Sequence, residues 1–277
     1  MLFLFITACN SVEPEDEIYV AVTDENGVGQ AAGNREDAGV FSATEQADLS
    51  QDDYYEEYTE IILPSEGTSN NLSLTETPPG IYILPVPQTD GTISVEEALY
   101  NRRSRRHFQD RALTTEQVSQ ILWAAYGITS DRGFRTAPSA GALYPLEIYI
   151  VIGNVEGIAP GVYLYIAEEH KIIRVIYGDI REELAQAALG QRSVSDAPAI
   201  LAYSAVFERM IPRYGERGIM YTHIEVGHSG QNVYLQAEAL GLGTVAVGAF
   251  IDYLVGELLN LSEYETPLYL MPFGYFY

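Results

Sequence analysis

Residues 198–206 read Pro-Ala-Ile-Leu-Ala-Tyr-Ser-Ala-Val, a stretch without a single charge. A strand of this content has no face to give to water, so it must be covered on both sides. Residues 146–152 (Leu-Glu-Ile-Tyr-Ile-Val-Ile), 162–166 and 172–176 read as further strands, the last two joined by a polar Glu168-Glu169-His170 turn. Helical patterns surround them. Ser94 with Glu97 three positions on forms a capping box ahead of Ala98 and Leu99. Thr114 to Gln117 opens a second helix with Val118, Ile121, Leu122 and Ala125 on one face, and Gly127 stops it. Residues 181–189 and 219–240 are helical, whereas 244–247 and 268–271 are short strands. Strands and helices do not alternate strictly. The fold class is therefore α+β, a central sheet covered by helices.

This patterning does not reach the first third of the chain. Residues 10–92 carry 18 acidic residues and one cation, Arg35, a net −17 out of the −24 of the whole. They lack periodic apolar runs and are expected to form a mostly disordered acidic spacer. Residues 93–277 hold the other 14 cations and are long enough to bury a core. The overall charge argues against nucleic acid and against docking on anionic lipid. The single cysteine, Cys9, permits neither an intrachain disulfide nor a thiolate metal cluster, and no metal site is expected. Residues 1–9 are apolar up to Ile6-Thr7-Ala8-Cys9 and resemble a lipoprotein signal with Cys9 as the lipidated residue. That reading places the protein at a bacterial cell envelope, touching membrane only through the Cys9 anchor. A chance apolar start would leave it cytoplasmic.

Gly241-Leu242-Gly243-Thr244-Val245-Ala246 fits the G-x-G-x-x-A pattern of dinucleotide folds. Here a helix precedes and a β-branched run follows, the reverse of the arrangement that points a helix N-terminus at a pyrophosphate. A helix end turning into a strand is expected instead.

Four other segments carry chemistry. Residues 102–108 read Arg-Arg-Ser-Arg-Arg-His-Phe, a local reversal of charge in an acidic chain. Planar guanidinium forks suit a phosphate or an enolate-like anion, and a helix end decorated with cations is the alternative. Residues 137–145 (Ala-Pro-Ser-Ala-Gly-Ala-Leu-Tyr-Pro) are small enough for backbone to approach a flat ring, or they are a turn before a strand. Residues 213–218 (Arg-Tyr-Gly-Glu-Arg-Gly) lead to a helix with Glu225, Gly227, His228, Gly230, Gln231 and Asn232. Val247-Gly248-Ala249-Phe250 closes the set.

In this order the segments RRSxRxF, PSAGALYP, RYGxRG with E-x-GH-x-x-QN and LGLG, and VGAF resemble the nitroreductase superfamily of FMN enzymes, within it the SagB/ThcOx branch. The resemblance spans about residues 93–277. It implies a nitroreductase-like central mixed or antiparallel sheet flanked by helices, in an obligate homodimer with FMN at the interface. It implies that Arg102, Arg103, Ser104 and Arg106 contact the FMN phosphate, ribityl chain and N1/C2=O edge, with Arg105 a solvated cation at the variable position. Pro138, Ser139 and Ala140 would reach the flavin of the neighbouring subunit, and Val247, Gly248 and Ala249 would lie against the flavin face and N5. The implied reaction is a ping-pong hydride transfer through N5, with NAD(P)H as a donor that needs no Rossmann domain, to or from a small nitro, quinone or heteroaromatic substrate.

Two departures follow. Azoline-oxidising members pair a Lys with a Tyr as catalytic groups, and the matching pair here is Arg213-Tyr214. An arginine does not release its proton at working pH and is a poor base. The chain also ends without a cation over residues 271–277, where many members place one on the phosphate. Peptide azoline oxidation and a non-catalytic flavin-binding lipoprotein are the alternative readings.

Overall fold

Strand β5 (Ala199–Val206) is flanked in the sheet by β2 (Leu146–Ile152) and β7 (Glu265–Gly274) in a computed structural model that describes residues 80–277. The other strands are β1 (Ile81–Ile83), β3 (Gly161–Ile166), β4 (Lys171–Tyr177) and β6 (Gly243–Thr244). The seven lie in the order β1-β4-β3-β2-β5-β7-β6, with each neighbouring pair antiparallel. Every residue of β2, β3 and β5 is buried, Glu147 of β2 included.

Alternation along the strands divides the cover into two layers. Leu146, Ile148, Ile150 and Ile152 of β2, with Leu201 and Tyr203 of β5, pack into one cluster. Its helical side is made by α2 (Thr115–Tyr126) through Val118, Ile121, Leu122 and Ala125, and by α6 (Arg217–Ala239) through Val226, Val233 and Ala237. Tyr149, Val151, Ile200 and Ala202 are buried on the opposite side of the pleat. Leu184 of α3 (Arg181–Ala187), Val194 of α4 (Arg192–Ser195) and Val255 and Leu259 of α7 (Asp252–Leu259) are buried outside that cluster, and α4 and α7 pack on β7. Two more helices, α1 (Val95–Asn101) and α5 (Ile211–Tyr214), contact α6. The result is an α+β architecture with an antiparallel sheet between helices.

Several expectations need correction. The folded region starts before Ile93, because β1 lies inside the expected spacer. Tyr82 and Leu84 are buried, and the Tyr82 hydroxyl accepts from Arg174 Nη2 at 3.0 Å. A three-residue edge strand is too short to show periodicity and is ordered by its pairing with β4. The signal at 1–9 with Cys9, and the spacer up to residue 79, lie outside the described residues. At α1 only half of the expected capping box forms, Ser94 Oγ accepting from Glu97 N at 3.1 Å. The reciprocal box is at α2, between Thr114 and Gln117. Gly127 does end α2, as expected; its φ is −68°, and its lack of a side chain matters because a Cβ would stand 2.3 Å from Trp123 Cδ1. The 241–246 segment is a helix-to-strand turn, with Gly241 at φ +67°. Only Gly243–Thr244 is strand there, and Val247 makes a single bridge to Leu270. β7 outruns its expected 268–271 core in both directions, across Pro267 and Pro272.

His170 ties the chain between β1 and α1 to the body. Its Nε2 lies 2.7 Å from Ser119 Oγ and 3.0 Å from Pro85 O, and its Nδ1 lies 2.8 Å from Tyr165 Oη. Gln120 clamps the same segment, accepting from Gln88 N and donating to Gln88 O. Burial lowers the His170 pKa, against a hydrogen bond to Pro85 O that raises it. A base whose folded pKa is depressed stabilises the fold above its unfolded value of about 6.5, and that stability is lost as pH falls below it. His170→Asn keeps a residue tolerant of the left-handed backbone at φ 47°. It is expected to lower the unfolding free energy by about 1–3 kcal/mol at pH 8 and to flatten its acid-side decline, measured by urea denaturation across pH.

Candidate functional site

Helix α6 is 23 residues long, so it runs about 34 Å at 1.5 Å per residue. Near its C-terminal end Tyr234 receives the first group of candidate residues. The Arg102 guanidinium lies 5.1 Å from the Tyr234 ring centre, and Ser104 Oγ is 3.0 Å from Tyr234 Oη. The same hydroxyl accepts from Ala246 N at 2.9 Å. Ser104 bridges to Thr244, and Arg105 N donates to Thr244 O at 2.9 Å. One phenol thus fastens the arginine run to the segment that leads into residues 247–249. Val247 is pinned by two backbone hydrogen bonds to Leu270, and Gly248 and Ala249 are exposed. A Cβ on Gly248 would meet only Tyr269 Cε1, at 3.8 Å, so this turn offers a flat, open backbone surface.

The arginines behave differently from one another. Arg103 donates from Nη1 to Tyr100 O and Arg102 O, capping the carbonyl end of α1, so part of its guanidinium serves the helix. Arg106 is exposed. Arg105 is not the solvated cation that its position implied. Its guanidinium lies 4.4 Å from the Phe276 ring centre, and its Cβ fills the space where a side chain on Gly243 would stand. Its Nε is buried without a hydrogen-bond partner. The cation-free chain end is therefore covered by cations from elsewhere, Arg105 on Phe276 and Arg111 on Tyr275. Among the described residues, none of Arg102, Arg103, Arg105 and Arg106 is paired with a carboxylate.

The second group gathers toward the other end of α6. Gly141 has φ +64°, and a Cβ there would lie 2.6 Å from Tyr214 Oη and 2.9 Å from Arg213 Nη1. The Arg213-Tyr214 pair on α5 therefore rests on the turn that contains Pro138, Ser139 and Ala140. Tyr214 is held edge-on by Tyr221, ring centres 5.1 Å apart. Ser139 Oγ accepts from Tyr144 N at 2.9 Å, and Tyr144 O accepts from Arg209 Nη1 at 3.0 Å. Arg209 also pairs with buried Glu147. Burial pushes the Glu147 carboxyl up, against the Arg209 charge that pulls it down. Under the turn, Tyr126 donates to Glu225 Oε1, and Arg135 stacks on the rings of Tyr126 and Tyr144 at 4.5 and 4.9 Å while pairing with Glu168.

Within one chain the two groups meet different stretches of α6. Tyr234 is nine residues beyond Glu225, about 13 Å along the axis. Arg209 and Tyr126 were not singled out from sequence, and Glu225 and Tyr234 stood in a quoted segment without a role. For Glu225 a signal exists, since it shares a face with Ser229 and Val233 at helical spacing. A shallow hollow of about 410 Å³ between α1, α2 and α6, lined by Ala98, Trp123, Asn232 and Leu235 among others, contains no cation and does not coincide with either group. There Asn232 donates to Thr136 O, a packing role. The described residues hold no cluster of metal ligands.

The model of the Nitroreductase family matches residues 99–275. A Methanocaldococcus jannaschii protein that carries the nitroreductase name is 51% identical over 182 residues, 66% of this chain and 91% of that one. The microcin B17-processing protein McbC of Escherichia coli is 28% identical over 170 residues, and the match spans 62% of its length. A solved Ralstonia eutropha structure, also of nitroreductase name, has a TM-score of 0.63 at 26% identity, covering 78% of this chain and 99% of that one.

Gly141→Ala forces an L side chain into the left-handed region and against Tyr214. It is expected to lower the unfolding free energy of the apoprotein by about 1–3 kcal/mol. Gly248→Ala, with open surroundings, is expected to stay within about 0.5 kcal/mol of the parent. Chemical denaturation of both variants measures the contrast.

Proposed function

This chain belongs to the nitroreductase family, and on that premise we propose that it is an FMN-dependent oxidoreductase acting on a small organic substrate. One observation carries the reading. In a chain of net charge −24, four arginines follow α1, Arg102 over the Tyr234 ring that also holds Ser104 and Ala246, and none is paired with a carboxylate among the described residues. Guanidinium groups left unpaired in an acidic protein suit an anion supplied from outside, and the buried Nε of Arg105 lacks an acceptor.

FMN fits these residues. Arg102 and Arg106, with the free edge of Arg103 and the Ser104 hydroxyl, would hold its phosphate and the N1/C2=O edge. The backbone of Val247, Gly248 and Ala249 would lie along its ring. Bound there, FMN supplies hydride transfer through N5, with NAD(P)H as a donor. Fixed cations at the N1 edge favour the reduced anion, the more so where water is excluded. Glu225, beside the 138–141 turn, is about 13 Å along α6 from Tyr234, and we assign the turn to the flavin of a second copy. Homodimer formation is further supported by a stripe on α6 in which Met220 and Ile224 are 44% and 48% exposed beside Gly227, whose absent side chain would meet nothing within 4 Å.

A second reading, oxidation of azolines in a modified peptide, draws on the similarity to the microcin-processing protein. It requires a base. Arg213 cannot serve, which leaves Tyr214 alone. Arg213→Lys is expected to raise oxidation of a thiazoline peptide by tenfold or more on this reading, and to leave it at background on the first.

The purified protein is expected to be yellow, dimeric in light scattering, and bleached anaerobically by NADH or NADPH. Arg102→Ala with Arg106→Ala is expected to lose the bound flavin while keeping its circular dichroism. Stoichiometric FMN in that folded double variant would overturn the site. A flavin that no donor bleaches would favour a non-catalytic binder.

A further inference from the structure

Glu225 lies on the inward face of α6 and is 1% exposed. Its Oε1 accepts the Tyr126 hydroxyl. Its Oε2 is buried and closes no hydrogen bond. A bare buried carboxylate oxygen carries a desolvation cost, and folds keep one where it has further use. The carboxyl borders the Ser139 hydroxyl, which draws its pKa down without completing a bond to Oε2. Ser139 Oγ already accepts from Tyr144 N, so one acceptor site and one hydrogen remain to be placed.

Two arrangements satisfy both groups. An ionised Glu225 takes the Ser139 O–H at Oε2. A protonated Glu225 gives Oε2–H to the second lone pair of Ser139 Oγ, and the serine hydrogen then points away from the core, toward the exposed side of the turn at Gly141. The surroundings are few. Tyr126 faces the carboxyl from α2, and burial together with Glu225 holds its own pKa well above the usual value, so it stays a donor. Arg135 stacks on Tyr126 and favours the ionised form. Arg213 and Tyr214 cover Gly141 from α5. Ser229, one turn along α6, is occupied with Ala125 O and Tyr203 Oη. Burial is the largest influence on Glu225 and raises its pKa.

We propose that Glu225 is a proton-holding positioning residue for the 138–141 turn: protonated it turns the Ser139 hydroxyl outward, and on losing one proton to solvent it draws that hydroxyl back. This rests on the reading that the turn meets flavin. There, an outward hydroxyl gives the cofactor a hydrogen bond that the ionised state withdraws.

The test has two arms. Infrared titration of the apoprotein is expected to show a protonated-carboxyl signal that persists above the ordinary carboxylate range and is lost in Glu225→Gln, while any signal from Glu147, a second buried carboxyl paired with Arg209, is unchanged. FMN affinity of the wild type is expected to weaken by about 3- to 10-fold as pH rises through that titration, the worth of one hydrogen bond. Glu225→Gln, whose amide oxygen keeps Tyr126 and whose N–H replaces the acid proton, should hold the tighter value at all pH. Ser139→Ala should hold the weaker one. A band unchanged in Glu225→Gln, or a wild-type affinity step that survives in it, overturns the proposal. A protein that binds no FMN at any pH instead overturns the flavin reading, and the infrared arm still decides the state of Glu225.

Discussion

The β2–β5 pair has no face that tolerates water, and the rest of the architecture is the consequence of covering it. Ile148 and Ile150 need one layer, Tyr149 and Val151 another. On the first side the cover is α2 and α6. Along that helix the arginine run and the segment leading to residue 247 rest on Tyr234, and the 138–141 turn on Glu225. The buried hydroxyls Ser229 and Tyr126 are ties of the same kind, joining α2, α6 and β5 without leaving a donor bare.

Electrostatics separates the cations that serve the fold from those that do not. Arg209 neutralises Glu147 beneath the 138–141 turn, Arg135 is shared by two tyrosine rings and Glu168, and Arg181 is closed on Asp179. The arginines after α1 are spent on rings and carbonyls, or stand in solvent, and never on a carboxylate among the described residues. In a protein so rich in acids that distribution is unusual, because long-range attraction would pair an idle guanidinium at little cost. Glu225 is the complementary case, an acid kept from water and from any cation in contact, so its charge is governed by burial rather than by pairing.

How much of this was legible from residues alone depends on how local each cause is. The apolar runs gave the central strands, with β2 correct to the residue, and the Thr114/Gln117 spacing gave the start of α2, because those signals are written in neighbouring positions. The arginine run, the PSAG turn and Arg213-Tyr214 were visible as residue types out of keeping with an ordinary surface. Their arrangement was not. β1 exists only because β4 offers it an edge, Arg105 is drawn from solvent by Phe276 at the far end of the chain, and Tyr234 looked like one more helix residue until Ser104 and Ala246 N met its hydroxyl.

The sequence by itself determined the class of fold, the family and the inventory of chemistry, since apolar periodicity and charge are properties of short stretches. Only the tertiary structure decided which of those groups stand together: the Arg213-Tyr214 pair over Gly141, Arg102 and Ser104 on Tyr234, and the carboxyl of Glu225 beside Ser139. Such contacts join residues far apart in the chain, and their geometry is set by how α6 lies on the sheet, a packing outcome that no local pattern encodes.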